Sequence, residues 1–197
     1  MRLRFLTASA LVALAAAGAS TGANAMDGVY VQAFGGAALS SLITWGDPTP
    51  YQDYVLDPGS AFGASIGMAT GMDGVSVELD FLHTSRISEG DSDYFLETNS
   101  LMVNGKYTFG VSDMIDLYAG AGVGGINIHY DYSGNPYDGW GLGYQVLAGV
   151  EAKVTDTFSI IGEIRHQDAF SLVASDVSPY THRAPVNAVL IGIKAHM

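Results

Sequence analysis

Apolar and polar residues alternate along most of this chain with a period of two. From Trp140, the residues Leu142, Tyr144, Val146, Ala148 and Val150 share one face, and Gly141, Gly143, Gln145, Leu147, Gly149 and Glu151 the other. After a polar break from Lys153 to Thr157, Ile160, Gly162 and Ile164 oppose Ile161, Glu163 and Arg165. Successive side chains of a strand point to opposite faces, so this alternation predicts a β-hairpin. The same pattern recurs over 29–39, 61–69, 75–83, 99–109, 116–126 and 185–197, which makes eight strands. The connections between them alternate in length. Gly71-Met72-Asp73-Gly74, the stretch through Gly110 and Asp113, and 153–157 read as tight turns, with glycine supplying positive φ in the first. The segments 40–59, 85–97, 129–139 and 168–184 read as long polar loops.

Roughly ten tilted residues are enough for a barrel strand to cross a bilayer, and short turns on one side with long loops on the other is the rhythm of a membrane meander. Composition supports that reading. Charged residues are 14% of the chain, against about 25% in typical soluble domains. Yet no segment after residue 25 offers 18 consecutive apolar residues for a spanning helix. A closed sheet resolves the conflict, since only half of each strand must be apolar and every backbone group pairs internally. The sequence therefore predicts an all-β fold, an eight-stranded antiparallel up-and-down transmembrane β-barrel over 26–197. The rival, a soluble secreted barrel with an apolar inside, would need an outer face rich in charged and polar residues, and the strands carry too few.

The first residues read as a targeting segment. Arg2 and Arg4 precede a mostly apolar run from Phe5 to Ala19, and Ala23-Asn24-Ala25 has the small-x-small pattern of a cleavage site. Residues 1–25 are expected to be a signal peptide for export, the apolar run being short for a membrane anchor. Cleavage would remove two of the eight basic residues and none of the 20 acids, so the mature net charge is 6 minus 20, or −14. That balance argues against nucleic acid, which demands a basic footprint. Without cysteine, neither disulfides nor thiolate metal sites are available.

The strand charges fall opposite the aliphatic stripe: Glu78, Asp80, Glu151 and Glu163, with Lys106, Arg165 and Lys194. An eight-stranded barrel is narrow enough for side chains to fill it. With Asn104, Tyr118 and Gln145, these seven are expected to form a polar network in the lumen, Glu163, Arg165 and Lys194 pairing across neighbouring strands. Isolated charges there would be expensive. Glycines on the same face (Gly120, Gly122, Gly124, Gly143, Gly149) suit a crowded interior.

The long loops hold 11 acids: Asp47, Asp53, Asp57, Glu89, Asp91, Asp93, Glu97, Asp131, Asp138, Asp168 and Asp176. Solvation of a cell surface explains them; bridging by divalent cations to lipopolysaccharide phosphates is the sharper alternative. Asp91-Ser92-Asp93 is too short for a calcium loop. His83 with Asp80, and His166 with Asp168, are the pairs to weigh for catalysis. Asp80 points away from His83, and no serine sits beside His166 and Asp168 in the pattern. His129, His182 and His196 show no metal-ligand spacing. No catalytic residue, metal site or cofactor is expected.

The segments Val77-Glu78-Leu79-Asp80-Phe81, Leu101-Met102-Val103-Asn104-Gly105-Lys106-Tyr107, Leu117-Tyr118-Ala119-Gly120-Ala121-Gly122-Val123-Gly124 and Gly162-Glu163-Ile164-Arg165-His166 resemble the porin-like outer-membrane β-barrel family of opacity-type surface antigens. The resemblance covers nearly the whole chain after residue 25. It implies residence in a Gram-negative outer membrane among lipid and lipopolysaccharide, and insertion by the barrel assembly machinery through the C-terminal strand. It also implies a structural or surface-interaction role (adhesion or envelope integrity, with a host or surface ligand) without catalysis. Family members typically end in an aromatic residue, whereas this chain ends Ala195-His196-Met197. A small channel for ions or solutes is the alternative role, and a lipid A-modifying enzyme the third.

Overall fold

The computed structural model describes residues 28–46, 52–88, 91–132, 135–170, 173–174 and 181–197. Eight strands close into an antiparallel barrel: β1 (Val29–Ala38), β4 (Gly59–Ala69), β5 (Val75–Ser88), β6 (Asp91–Gly110), β7 (Ile115–Tyr132), β8 (Asn135–Lys153), β9 (Phe158–Ala169) and β12 (Val186–His196). Each pairs with its sequence neighbours in the ring, and β12 closes it against β1, Tyr30 opposite His196. Four short strands, β2 (Ser41–Gly46), β3 (Gln52–Leu56), β10 (Val173–Ala174) and β11 (Thr181–Arg183), lie in the connections.

The walls face as the alternation predicts. Leu79, Ile164 and Ile191 are 46%, 61% and 67% exposed on the outside, while Glu78, Glu163 and Arg165 are at most 4% exposed within. A soluble barrel with an apolar inside is thereby overturned. At the Gly71–Gly74 turn both glycines have positive φ, 81° and 72°, and the amide of Val75 donates to Met72 O at 3.0 Å. A Cβ on Gly74 would come within 2.5 Å of Thr108 O, so the turn also needs glycine for space.

Register sets the barrel's shape. From Val29, the paired residues run Met68, Val77, Gly105, Ala121, Val146, His166 and Asn187. The carbonyl of Asn187 then accepts the amide of Leu39 at 2.7 Å, so one circuit climbs from residue 29 to residue 39, a stagger of ten. Eight strands with that stagger tilt about 40° from the axis and leave an interior just wide enough for side chains. Aromatic rings mark both edges of the outer apolar surface. Tyr107 stacks on Phe109 near the short turns; towards the long connections Phe62 packs on His83 at 4.7 Å and Tyr144 on His166 at 6.0 Å.

The long connections differ from the expected loops. Residues 85–88 and 91–97 continue β5 and β6 as a paired ribbon, Ser85 opposite Glu97 and Ile87 opposite Phe95. β7 and β8 likewise run on as far as Tyr132 and Asn135, and β2 and β3 form a hairpin inside 40–59. Beyond the lipid both strand faces can carry polar groups, so the alternation fades while the backbone ladder persists. The segment 1–25 and the acids Asp47, Glu89 and Asp176 lie outside the described residues.

Candidate functional site: the filled interior

All ten residues expected in the lumen point inward, none more than 8% exposed. They stack as a column along the axis. Nearest the short turns, Lys194 Nζ donates to Glu151 Oε2 at 2.7 Å and lies 4.2 Å from the centre of the Tyr30 ring. Next, Glu78 Oε2 accepts Lys106 Nζ at 3.1 Å, Gln32 Nε2 at 2.7 Å and the Tyr30 hydroxyl at 3.2 Å. Lys106 also sits 4.2 Å over the Tyr118 ring.

Arg165 occupies mid-barrel. Its Nη1 donates to Asp80 Oδ1 at 2.7 Å, Nη2 to Asp80 Oδ2 at 3.3 Å and Nε to Glu163 Oε1 at 2.8 Å. Phe34 covers the guanidinium at 4.5 Å, and the Tyr118 hydroxyl donates to Glu163 Oε2 at 3.1 Å. Above it a neutral relay begins: Gln145 Nε2 donates to Asn104 Oδ1 at 2.6 Å, Gln167 Nε2 to Gln145 Oε1 at 2.6 Å, and Ser100 Oγ to Gln167 Oε1 at 3.0 Å. An apolar cluster that includes Leu56, Leu96, Met102, Ile126 and Ile128 caps the column at the long-connection end.

One expected pairing is corrected. Lys194 does not join Glu163 and Arg165; it takes Glu151. Register places Lys194 opposite Ser159, four residues from Glu163 along β9, about 13 Å at strand rise. Its side chain instead spans β9 diagonally to β8. The interior glycines make room for the column. A Cβ at Gly122 would fall 1.9 Å from Asn104 Oδ1, and one at Gly149 2.4 Å from the Tyr118 ring.

Gln32, Tyr30, Ser100, Gln167 and Arg86 are further buried polar members that the sequence reading did not place here. Parity along β1 and β6 was the available signal for Tyr30, Gln32 and Ser100. Arg86 was hidden by assigning 85–97 to a loop.

The histidines sit elsewhere. His83 Nδ1 lies 2.8 Å from Asn99 Oδ1 on the outer wall, with Asp80 inside. His166 Nδ1 lies 2.8 Å from Asn187 Oδ1, while Asp168 accepts Arg183 Nε at 2.8 and 2.9 Å. Neither histidine is brought to its candidate acid. At the short-turn rim Ser159, His196 and Glu151 do meet, a grouping the sequence did not suggest. Ser159 Oγ is 3.5 Å and Glu151 Oε1 3.0 Å from the same nitrogen, His196 Nε2. A nucleophile–base–acid relay needs the two ring nitrogens to serve different partners, so this arrangement does not supply one. Among the described residues no three His, Asp or Glu side chains are grouped to hold a metal ion.

Comparisons with known proteins agree with this architecture. Neisserial surface protein A superposes with a TM-score of 0.62 over 87% of this chain and 98% of its own, at 16% identity. OprG of Pseudomonas aeruginosa gives 0.59 over 86% and 97%, at 13% identity, and the N-terminal β-barrel domain of OprF from the same organism 0.56 over 87% and 98%, at 16%. At such identities the likeness is one of fold. No curated protein matches the chain in sequence. The family model of the outer membrane protein beta-barrel domain matches residues 7–189, and the chain belongs to that family.

Proposed function

We propose that this protein is a filled, non-conducting barrel of the Gram-negative outer membrane, acting in envelope structure and in surface contacts made by its projecting strands. The observation that carries the reading is the ion-paired column. Glu78, Asp80, Glu151 and Glu163 are each matched to Lys106, Arg165 or Lys194 inside the lumen, and the Asp80–Arg165 pair reaches from β5 to β9 on the opposite wall. These paired side chains fill the interior and occupy the space a solute would need. Strand length supports the contact role. β6, β7 and β8 have 20, 18 and 19 residues, roughly twice the 9–11 that span the hydrocarbon. The excess stands clear of the lipid at the long-connection end, where lipopolysaccharide and any host ligand would be met. Export by a cleaved segment over 1–25 and insertion through β12 complete the proposal.

Reconstitution in planar bilayers tests it. Flat current traces at applied voltage are expected. Reproducible unitary steps would overturn the filled-barrel reading and favour the small channel.

A further inference from the structure

Arg86 stands apart from the paired column. It is 1% exposed, on the inner face of β5 near the long-connection end, and among the described residues no carboxylate pairs with it. Its Nη1 donates to Ser41 Oγ and to Pro185 O, the latter at 3.1 Å, pinning the starts of β2 and β12. Its Nε and Nη2 have no partner. Those two donors form one edge of the guanidinium, the fork whose parallel N–H bonds match two oxygens of one anion.

Two more orphaned groups lie beside it. Thr84 and Thr98 are 1% and 2% exposed, opposite one another in register, on the same inner face one side-chain position deeper. Neither hydroxyl has a hydrogen-bond partner. The arginine's stem is admitted by Gly59, where a Cβ would lie 2.9 Å from Arg86 Cγ. A buried cation with its fork edge open, flanked by two unpaired hydroxyls, lacks a counter-anion.

We propose that Arg86, Thr84 and Thr98 form a binding site for a small oxyanion, a phosphate or carboxylate, inside the outward-facing end of the barrel. The fork takes two oxygens side-on and the threonine hydroxyls donate to a third or to the far side of the same group. The site stands whether or not the barrel conducts, because it needs only entry from the outer end, past the apolar cluster that includes Leu56 and Leu96. Anion occupancy would also stiffen the junction that Arg86 makes between Ser41 and Pro185.

The test is a titration of the full barrel, refolded in detergent micelles, with sodium phosphate and sodium acetate at constant ionic strength, read by the side-chain Nε–Hε resonance of Arg86. A saturable shift with either oxyanion is expected, with little from chloride. In Thr84→Val/Thr98→Val, which keeps the cation, the apparent affinity should fall. In the parent protein phosphate should raise the thermal unfolding midpoint, and in Arg86→Lys, which keeps charge but not the fork, that rise should be lost. No saturable shift with phosphate or acetate, or an equal shift with chloride, would overturn the site.

Discussion

At the scale of single residues, Arg165 does more than any other side chain to close the interior. It engages two carboxylates on two strands, Asp80 on β5 and Glu163 on its own β9, both essentially removed from solvent. Removing one partner from a buried ion pair leaves the others charged and desolvated, which costs about 3–5 kcal/mol. Arg165→Leu is therefore expected to lower the urea stability of the barrel in lipid vesicles by that amount. Arg165→Lys should fall between, since an ammonium cannot fork to both acids. A loss under about 1 kcal/mol for Arg165→Leu would mean that water, not Arg165, solvates Asp80 and Glu163.

At the scale of elements, legibility in the sequence followed the solvent. Where lipid bathes one face, chemistry forces alternation, and β4, β5, β9 and β12 could be read from residues such as Ile66, Leu79, Ile164 and Ile191. The lumen side was equally plain, since charges have no other tolerable place. Partner choice was not legible, because it depends on register: Lys194 meets Glu151 only because β12 is offset against β9. The ribbon at 91–97 is hidden for a different reason: its inner face carries the apolar Leu96 and its outer face sets Glu97 beside Phe95, so the polar-in, apolar-out pattern lapses. Its backbone nevertheless pairs on both flanks, Leu96 with Arg86 and with Tyr130. Hydrogen exchange checks this element. The amides of 95–98 should be strongly protected although they lie beyond the hydrocarbon, whereas rapid exchange there would restore the loop reading.

For the whole molecule, stagger and tilt fix how the barrel sits in its membrane. A climb of ten residues over eight strands lifts each register step by about one and a quarter residues. The register partner of His83 on β8 is Trp140, through Asn99 and Asn127. His166 pairs with Val146, six residues below Trp140. Four steps of climb from β5 to β9 very nearly cancel that drop, so His83 and His166 stand at about the same height on opposite walls. With Asn99 and Asn187 bonded to them, they begin a polar ring roughly 20–25 Å above Phe109 and Phe158, the height of an outer-membrane apolar band. Single-cysteine variants labelled with a fluorophore in vesicles of brominated lipid measure this directly. Labels at positions 79 and 164 should be quenched strongly by bromines deep in the acyl chains. Those at 83 and 166 should be quenched weakly and equally by the same lipids, and more by bromines near the headgroup. Unequal quenching at 83 and 166 would mean that the axis leans in the bilayer. Deep quenching at either histidine would move the outer boundary up towards Trp140 and take the contact surface with it.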